Sequence, residues 1–155
     1  MFFAACSPRE NSPNGRTQVA ISTNEENEVA IIVRPRKAAF GRSEPVYFDV
    51  FVANPTTNNI VVPFIYDCVI DIDGAHYTQF PKPTLIGDDG EIIRGATFQA
   101  TSSEAPHGTL TLNGPFSTVD AATGRLPLNL TTGRHTLILI CGSYRSDAVT
   151  FEVTD

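Results

Sequence analysis

The sequence predicts an all-β protein, an antiparallel β-sandwich of about seven to nine short strands. Three observations predict it. Several segments alternate apolar and polar residues with period two and are rich in Val, Ile, Thr and aromatics. Eleven Gly and eleven Pro punctuate the chain, so turn signals recur about every 8–12 residues. Helix formers in helical spacing are scarce. A length of 155 residues suits one domain with a tail.

The elements follow in order. Val29–Val33 is an apolar run stopped by Pro35, and Phe40–Pro45 reads as a turn. Val46–Ala53 alternates, with Val46, Phe48, Val50 and Val52 on one face and Tyr47, Asp49, Phe51 and Ala53 on the other. Asn54–Asn59 is a loop by composition. Ile60–Ile65 is a run broken by Pro63, which predicts an edge position or a bulge. Cys68–Asp73 alternates and ends in the turn dipeptide Asp73-Gly74. Residues 76–80 suit a short strand, and Pro81–Gly95 reads mostly as loop. Ala96–Thr101 and Thr109–Leu112 read as strands flanking a loop at Ser102–Gly108, so the mid-chain is expected to be an elongated loop region. Leu126-Pro127-Leu128 leads to Arg134–Cys141, a turn at Gly142–Asp147 and Ala148–Val153, a hairpin of two strong strands.

The totals exclude some functions. Net charge is −6, and 18% of residues are charged. The densest basic cluster is only Arg34, Arg36 and Lys37, so there is no footprint for nucleic acid. No run approaches the ~20 apolar residues of a membrane span. Three cysteines fit one bridge plus a special cysteine in an oxidising compartment, or three free thiols in a reducing one.

Phe3-Ala4-Ala5-Cys6-Ser7 resembles the lipobox that ends a bacterial lipoprotein signal peptide. Small side chains beside the cleaved bond suit a peptidase, and the resemblance makes Cys6 the lipidated first residue of the mature chain. The Ser-, Pro-, Asn- and charge-rich stretch that follows would serve as a flexible spacer. Only five residues precede Cys6 and none is basic, so either the start lies upstream of Met1 or the cysteine stands there by chance. The expected organisation is a lipobox remnant and spacer over 1–27 and a sandwich domain over 28–155.

Gly41–Pro45 (GRSEP), the strand after it and Asn54-Pro55-Thr56 resemble the start of a bacterial Ig-like module. Leu128–Leu137 and Val149–Val153 resemble its end. The resemblance implies fold, not activity. In an Ig-like order, the strand from Cys68 and the strand ending at Cys141 are neighbours. A Cys68–Cys141 disulfide is then reasonable, with two buried free thiols as the alternative.

Asn54-Pro55-Thr56-Thr57 also resembles a binding loop of chagasin-type inhibitors of papain-like proteases, which are Ig-like sandwiches. Here Asn58 replaces the family's Gly, no G-x-G-G occurs, and the turn at Gly142–Ser146 has no Arg-Pro-aromatic. Local turn chemistry also accounts for Asn-Pro-Thr.

Asp67, Asp71, Asp73, Asp88, Asp89 and Glu91 lack EF-hand spacing and read as a solvated face. His76, His107 and His135 have no zinc spacing, and no nucleophile motif occurs. Asn129-Leu130-Thr131 is a sequon relevant only in a eukaryotic secretory pathway. Tyr47 and Phe51 lie on the face away from the core and are expected to be covered by the 76–116 region.

The expectation is a non-catalytic binding or scaffolding module of the bacterial cell envelope, outward-facing or periplasmic. It would be anchored to the membrane through lipid on Cys6, take no cofactor or metal, and bind an unknown protein or glycan partner. The alternative is an Ig-like protease inhibitor acting through Asn54, Pro55, Thr56 and Thr57. A small hydrolase hidden in the loops is the third reading.

Overall fold

Residues 28–79, 84–112, 115–118, 125–127 and 130–155 are described by a computed structural model of the chain. The strands are β1 (Ala30–Pro35), β2 (Ala39–Gly41), β3 (Tyr47–Asn54), β4 (Ile60–Pro63), β5 (Val69–Ile72), β6 (Ala75–Gln79), β7 (Leu85–Ile86) and β8 (Ile92–Ile93). They continue as β9 (Gly95–Phe98), β10 (Thr101–Thr111), β11 (Pro115–Thr118), β12 (Arg125–Pro127), β13 (Gly133–Cys141), β14 (Tyr144–Arg145) and β15 (Val149–Thr154). The chain is an all-β sandwich. Its strand segments outnumber the seven to nine expected, because several are two- or three-residue pairings.

One sheet has the order β1-β3-β10, all antiparallel. The other has the order β12-β11-β6-β5-β13-β15-β2, with β14 also on β13. Two ribbons, β4-β9 and β7-β8, stand apart from these sheets.

Period-two alternation makes the core. Val46, Phe48, Val50 and Val52 are buried from the first sheet. Ile70, Ile72, Leu137, Leu139, Phe151 and Val153 are buried from the second. Phe40, Phe48 and Phe151 pack as a trio, the last two edge-to-face at 5.3 Å between ring centroids.

Four local expectations change. Phe40–Pro45 is not wholly a turn: Ala39–Gly41 runs parallel beside β15, anchored by buried Phe40. The turn that follows is closed by Glu44, whose N–H donates to the Gly41 carbonyl (2.8 Å) while its carboxylate accepts the Gly41 N–H (3.1 Å). Ser102–Gly108 is not a loop: β10 runs through it, with register shifts between Thr101 and Glu104 and between Pro106 and Gly108. An edge strand has no outer partner for the N–H that Pro106 lacks, and bulges absorb the extra residues. Pro81–Gly95 contains the small hairpin β7-β8. Among the described residues the mid-chain is therefore built of strands, short ones and the eleven-residue β10, rather than one elongated loop.

The fourth change concerns Tyr47 and Phe51. The 76–116 region does not cover them through β10, which lies beside β3 in the same sheet. Their cover comes from β1 and the residue that follows it: Arg34 lies over the Phe51 ring at 5.0 Å and Arg36 over the Tyr47 ring at 5.4 Å. The guanidiniums are held across the sheet. Arg34 donates to Glu104 (2.6 Å), and Arg36 donates to Asp49 (2.7 and 3.0 Å) and Thr109 (3.1 Å). The bond from Arg36 is the main reason the Asp49 carboxyl titrates below its usual range. This exposed face is tied up by its own charges.

Candidate functional site

β3 ends, β5 begins and β13 ends at one pole of the sandwich. That pole gathers three features: the Cys68–Cys141 bridge, the Asn54–Thr57 loop and a groove with exposed apolar side chains.

Cys68 and Cys141 are joined by a disulfide, with Cα atoms 4.4 Å apart and both residues fully buried. Strand register explains the meeting. Leu139 opposes Ile70 and Ile140 opposes Val69, so the next step places Cys141 opposite Cys68. Directly opposed residues of a non-hydrogen-bonded antiparallel pair have this spacing.

Asn54 is 1% exposed, and its side chain builds the loop from inside. Its amide donates to the carbonyls of Asn58 (2.8 Å) and Phe98 (3.2 Å). Its carbonyl oxygen accepts from the Thr56 hydroxyl (2.6 Å) and the Thr56 N–H (3.3 Å). Asn54 and Thr56 thus form a self-satisfied turn tied to β9. Pro55 is half-buried, and only Thr57 of the four expected loop residues is exposed.

The groove, of about 490 Å³, is lined by Pro63, Asp67, Leu85, Ile92, Ile93 and Gly142 among others. Exposed beside it are large apolar side chains: Val61 at 61%, Ile86 at 65%, Ile92 at 59% and Ile93 at 43%. The β4-β9 ribbon brings Val61 there. A Cβ on Gly95 would stand 2.6 Å from the Val62 carbonyl and 2.9 Å from the Val61 side chain, so this close approach requires glycine. These apolar residues escaped the loop reading of 81–95. The signal was the symmetry of Leu85-Ile86 and Ile92-Ile93 about Asp88-Asp89-Gly90.

The opposite pole holds an ion pair the sequence did not announce, between a buried histidine and an exposed aspartate. His135, 6% exposed, meets the Asp73 carboxylate through Nδ1 (2.7 Å) and the Thr131 carbonyl through Nε2 (2.7 Å). Both partners can only accept, so the site is satisfied at both ring nitrogens when the imidazole carries two protons. Asp73 also accepts the Thr136 N–H (2.8 Å), and its φ of 52° comes from the Asp73-Gly74 turn. Asp73 is therefore not part of a plain solvated strand face.

Burial of the ring opposes the charge on His135, but the Asp73 and Thr131 bonds outweigh it and raise the pKa. Burial likewise opposes the Asp73 charge, but the bonds from His135 and Thr136 outweigh it and lower that pKa. The His135 contribution to stability is full below about pH 6.5 and is lost as pH rises through the raised native value. The Asp73 contribution is present above about pH 4 and is lost as pH falls through the depressed value. The urea midpoint of the wild type relative to Asp73→Asn should therefore decline from pH 6 towards pH 8, a difference in which the opposite contribution of His107 cancels. Asn tolerates the turn but supplies no charge.

The remaining candidates serve structure. His107 donates from Nε2 to the Pro63 carbonyl (2.8 Å) and packs edge-on against Phe98. Burial lowers its pKa against the pull of that carbonyl. His76 is 3.4 Å from Asp71, which also accepts the Gly74 N–H. Among the described residues no group of three or more His, Cys, Asp or Glu is placed to hold a metal. No helix among them is long and apolar enough to cross a membrane. Cys6, the rest of 1–27 and Asn129 lie outside the described residues.

No protein-family model and no curated protein matches the chain. Similar solved structures include the alkylpurine DNA glycosylase AlkC of Pseudomonas fluorescens, at 14% identity and a TM-score of 0.38 over 83% of this chain and 31% of that one. A β-glucosidase from Listeria innocua is similar at 14% identity and 0.38, over 95% and 21%. The sporulation control protein Spo0M of Bacillus subtilis is similar at 15% identity and 0.36, over 82% and 49%. The chain spans less than half the length of each, and likeness at this level carries no functional argument.

Proposed function

We propose that this chain is a non-catalytic binding or scaffolding module of the bacterial cell envelope, carried on a spacer and anchored through lipid on Cys6. The observation that carries the binding role is the groove at the bridged pole, with Val61, Ile86, Ile92 and Ile93 exposed around it. Clustered exposed apolar side chains are where protein contacts concentrate. The buried disulfide supports an oxidising compartment.

Photo-crosslinking in the native host tests the binding role. A photoreactive residue at Ile92 should give a discrete heavier adduct, and one at Glu104, on the arginine-covered face, should not. Adducts from Glu104 alone, or from neither position, would contradict the reading.

A second reading is inhibition of a papain-like protease. It draws support from the place of the Asn54–Thr57 loop, which ends at the same pole as the turn after β13. That reading requires tight inhibition that disappears in the Thr56→Ala/Thr57→Ala double variant while the fold survives.

A further inference from the structure

We infer that the groove at the bridged pole receives an apolar peptide segment flanked by Lys or Arg. This rests on the binding role proposed above and adds the chemistry of the partner.

The receiving element is the β7-β8 hairpin. Leu85 pairs with Ile93 and Ile86 with Ile92, so each face of the ribbon carries an apolar pair. Its turn is pre-formed: the Gly87 N–H donates to the Glu91 carbonyl (2.8 Å), and the Gly90 N–H donates to the Gly87 carbonyl (2.9 Å). The Asp89 carboxylate accepts the Glu91 N–H (3.2 Å). Asp88, Asp89 and Glu91 are all exposed at this tip, immediately beside Ile86 and Ile92. One guanidinium, Arg94, lies on the groove wall.

The groove wall carries Leu85, Ile92 and Ile93 beside Asp67 and Arg94, and the exposed carboxylates of Asp88, Asp89 and Glu91 stand at the hairpin tip next to Ile86 and Ile92, where a partner is selected by charge. Opposite charge at a rim guides encounter and register, and like charge rejects. A second copy of this chain fits poorly, because two poles brought together would place Asp88, Asp89 and Glu91 of each against the other, in a chain of net charge −6. An anionic membrane surface is rejected for the same reason.

The test uses full-length protein and two fluorescent peptides with the same Leu/Val/Ile centre, one flanked by lysines and one by glutamates. Anisotropy should show the lysine-flanked peptide binding at least about tenfold tighter at low salt. That preference should shrink as salt is raised and Debye screening shortens. Ile86→Ser/Ile92→Ser should weaken the lysine-flanked peptide about tenfold or more. Asp88→Asn/Asp89→Asn/Glu91→Gln should bring the two peptides close to equal while thermal melts stay unchanged.

Equal or better binding of the glutamate-flanked peptide, a preference that survives the triple change, or no binding of either peptide would overturn the inference. So would co-sedimentation of protein without lipid on Cys6 with phosphatidylcholine–phosphatidylglycerol vesicles, or a dimer that the Ile86→Ser/Ile92→Ser variant abolishes. The crosslink at Ile92 separates the two failures. An adduct there without lysine preference sinks only the partner chemistry, whereas no adduct sinks the binding role itself.

Discussion

Replacing Cys68 and Cys141 together by Ala should lower stability by about 4 kcal/mol, on the chain-entropy account of cross-linking. The bridge spans a sequence separation of 73 residues, so the open chain regains a large loop entropy. The loss is a large share of the 5–15 kcal/mol typical of a domain. Both residues are fully buried, so no solvent contact offsets the loss. Urea denaturation checks it. The Ala/Ala variant and the dithiothreitol-reduced wild type should unfold at similar, much lower midpoints. A shift below about 1 kcal/mol would mean the thiols are not bridged in solution.

Asn54→Ala should cost about 2–3 kcal/mol, although Asn54 sits in a loop-forming tetrapeptide. The substitution removes the amide donor to the Asn58 and Phe98 carbonyls and the shorter of the two acceptors of the Thr56 hydroxyl. In a domain of this size that is a fall of roughly 5–10 °C in Tm. Thr57→Ala, at an exposed position, should stay within about 0.5 kcal/mol. Thermal melts of both variants separate a structural loop from an adjustable binding loop. Equal, small effects would show that the amide network does not hold the loop.

Those two residues mark what was legible in the sequence. Asn-Pro-Thr announced a turn, because that chemistry is local. It did not announce the bond to Phe98, which depends on where β9 lies. The alternation of Val46–Ala53 and Arg134–Cys141 identified core faces correctly, because period two is written in the strand itself. Cys68 and Cys141 became a pair only once strand order was assumed.

Non-local pairing stayed hidden for the same reason. His135 and Asp73 meet because Ile72 opposes Leu137 and the turn sends Asp73 toward Thr136. No spacing along the chain encodes that register. β2 was missed because three residues show no period, and its partner β15 lies more than a hundred positions away. β10 was missed because Ser102–Gly108 looks like a loop, and only the long ladder with β3 overrides Pro106 and Gly108. The groove residues were read as loop because Pro81, Pro83, Gly87 and Gly90 dominate that stretch. A two-on-two apolar hairpin is too short to announce itself by alternation.

An envelope module held by a bridge and anchored by lipid is tested most directly by an intact mass, with membrane and soluble fractions of the native host measured separately. The account predicts a membrane-bound species that begins at Cys6. It should be heavier by acyl chains and lighter by the two hydrogens of the Cys68–Cys141 bond. A soluble species that retains Met1 and carries three free thiols would contradict both the anchor and the bridge.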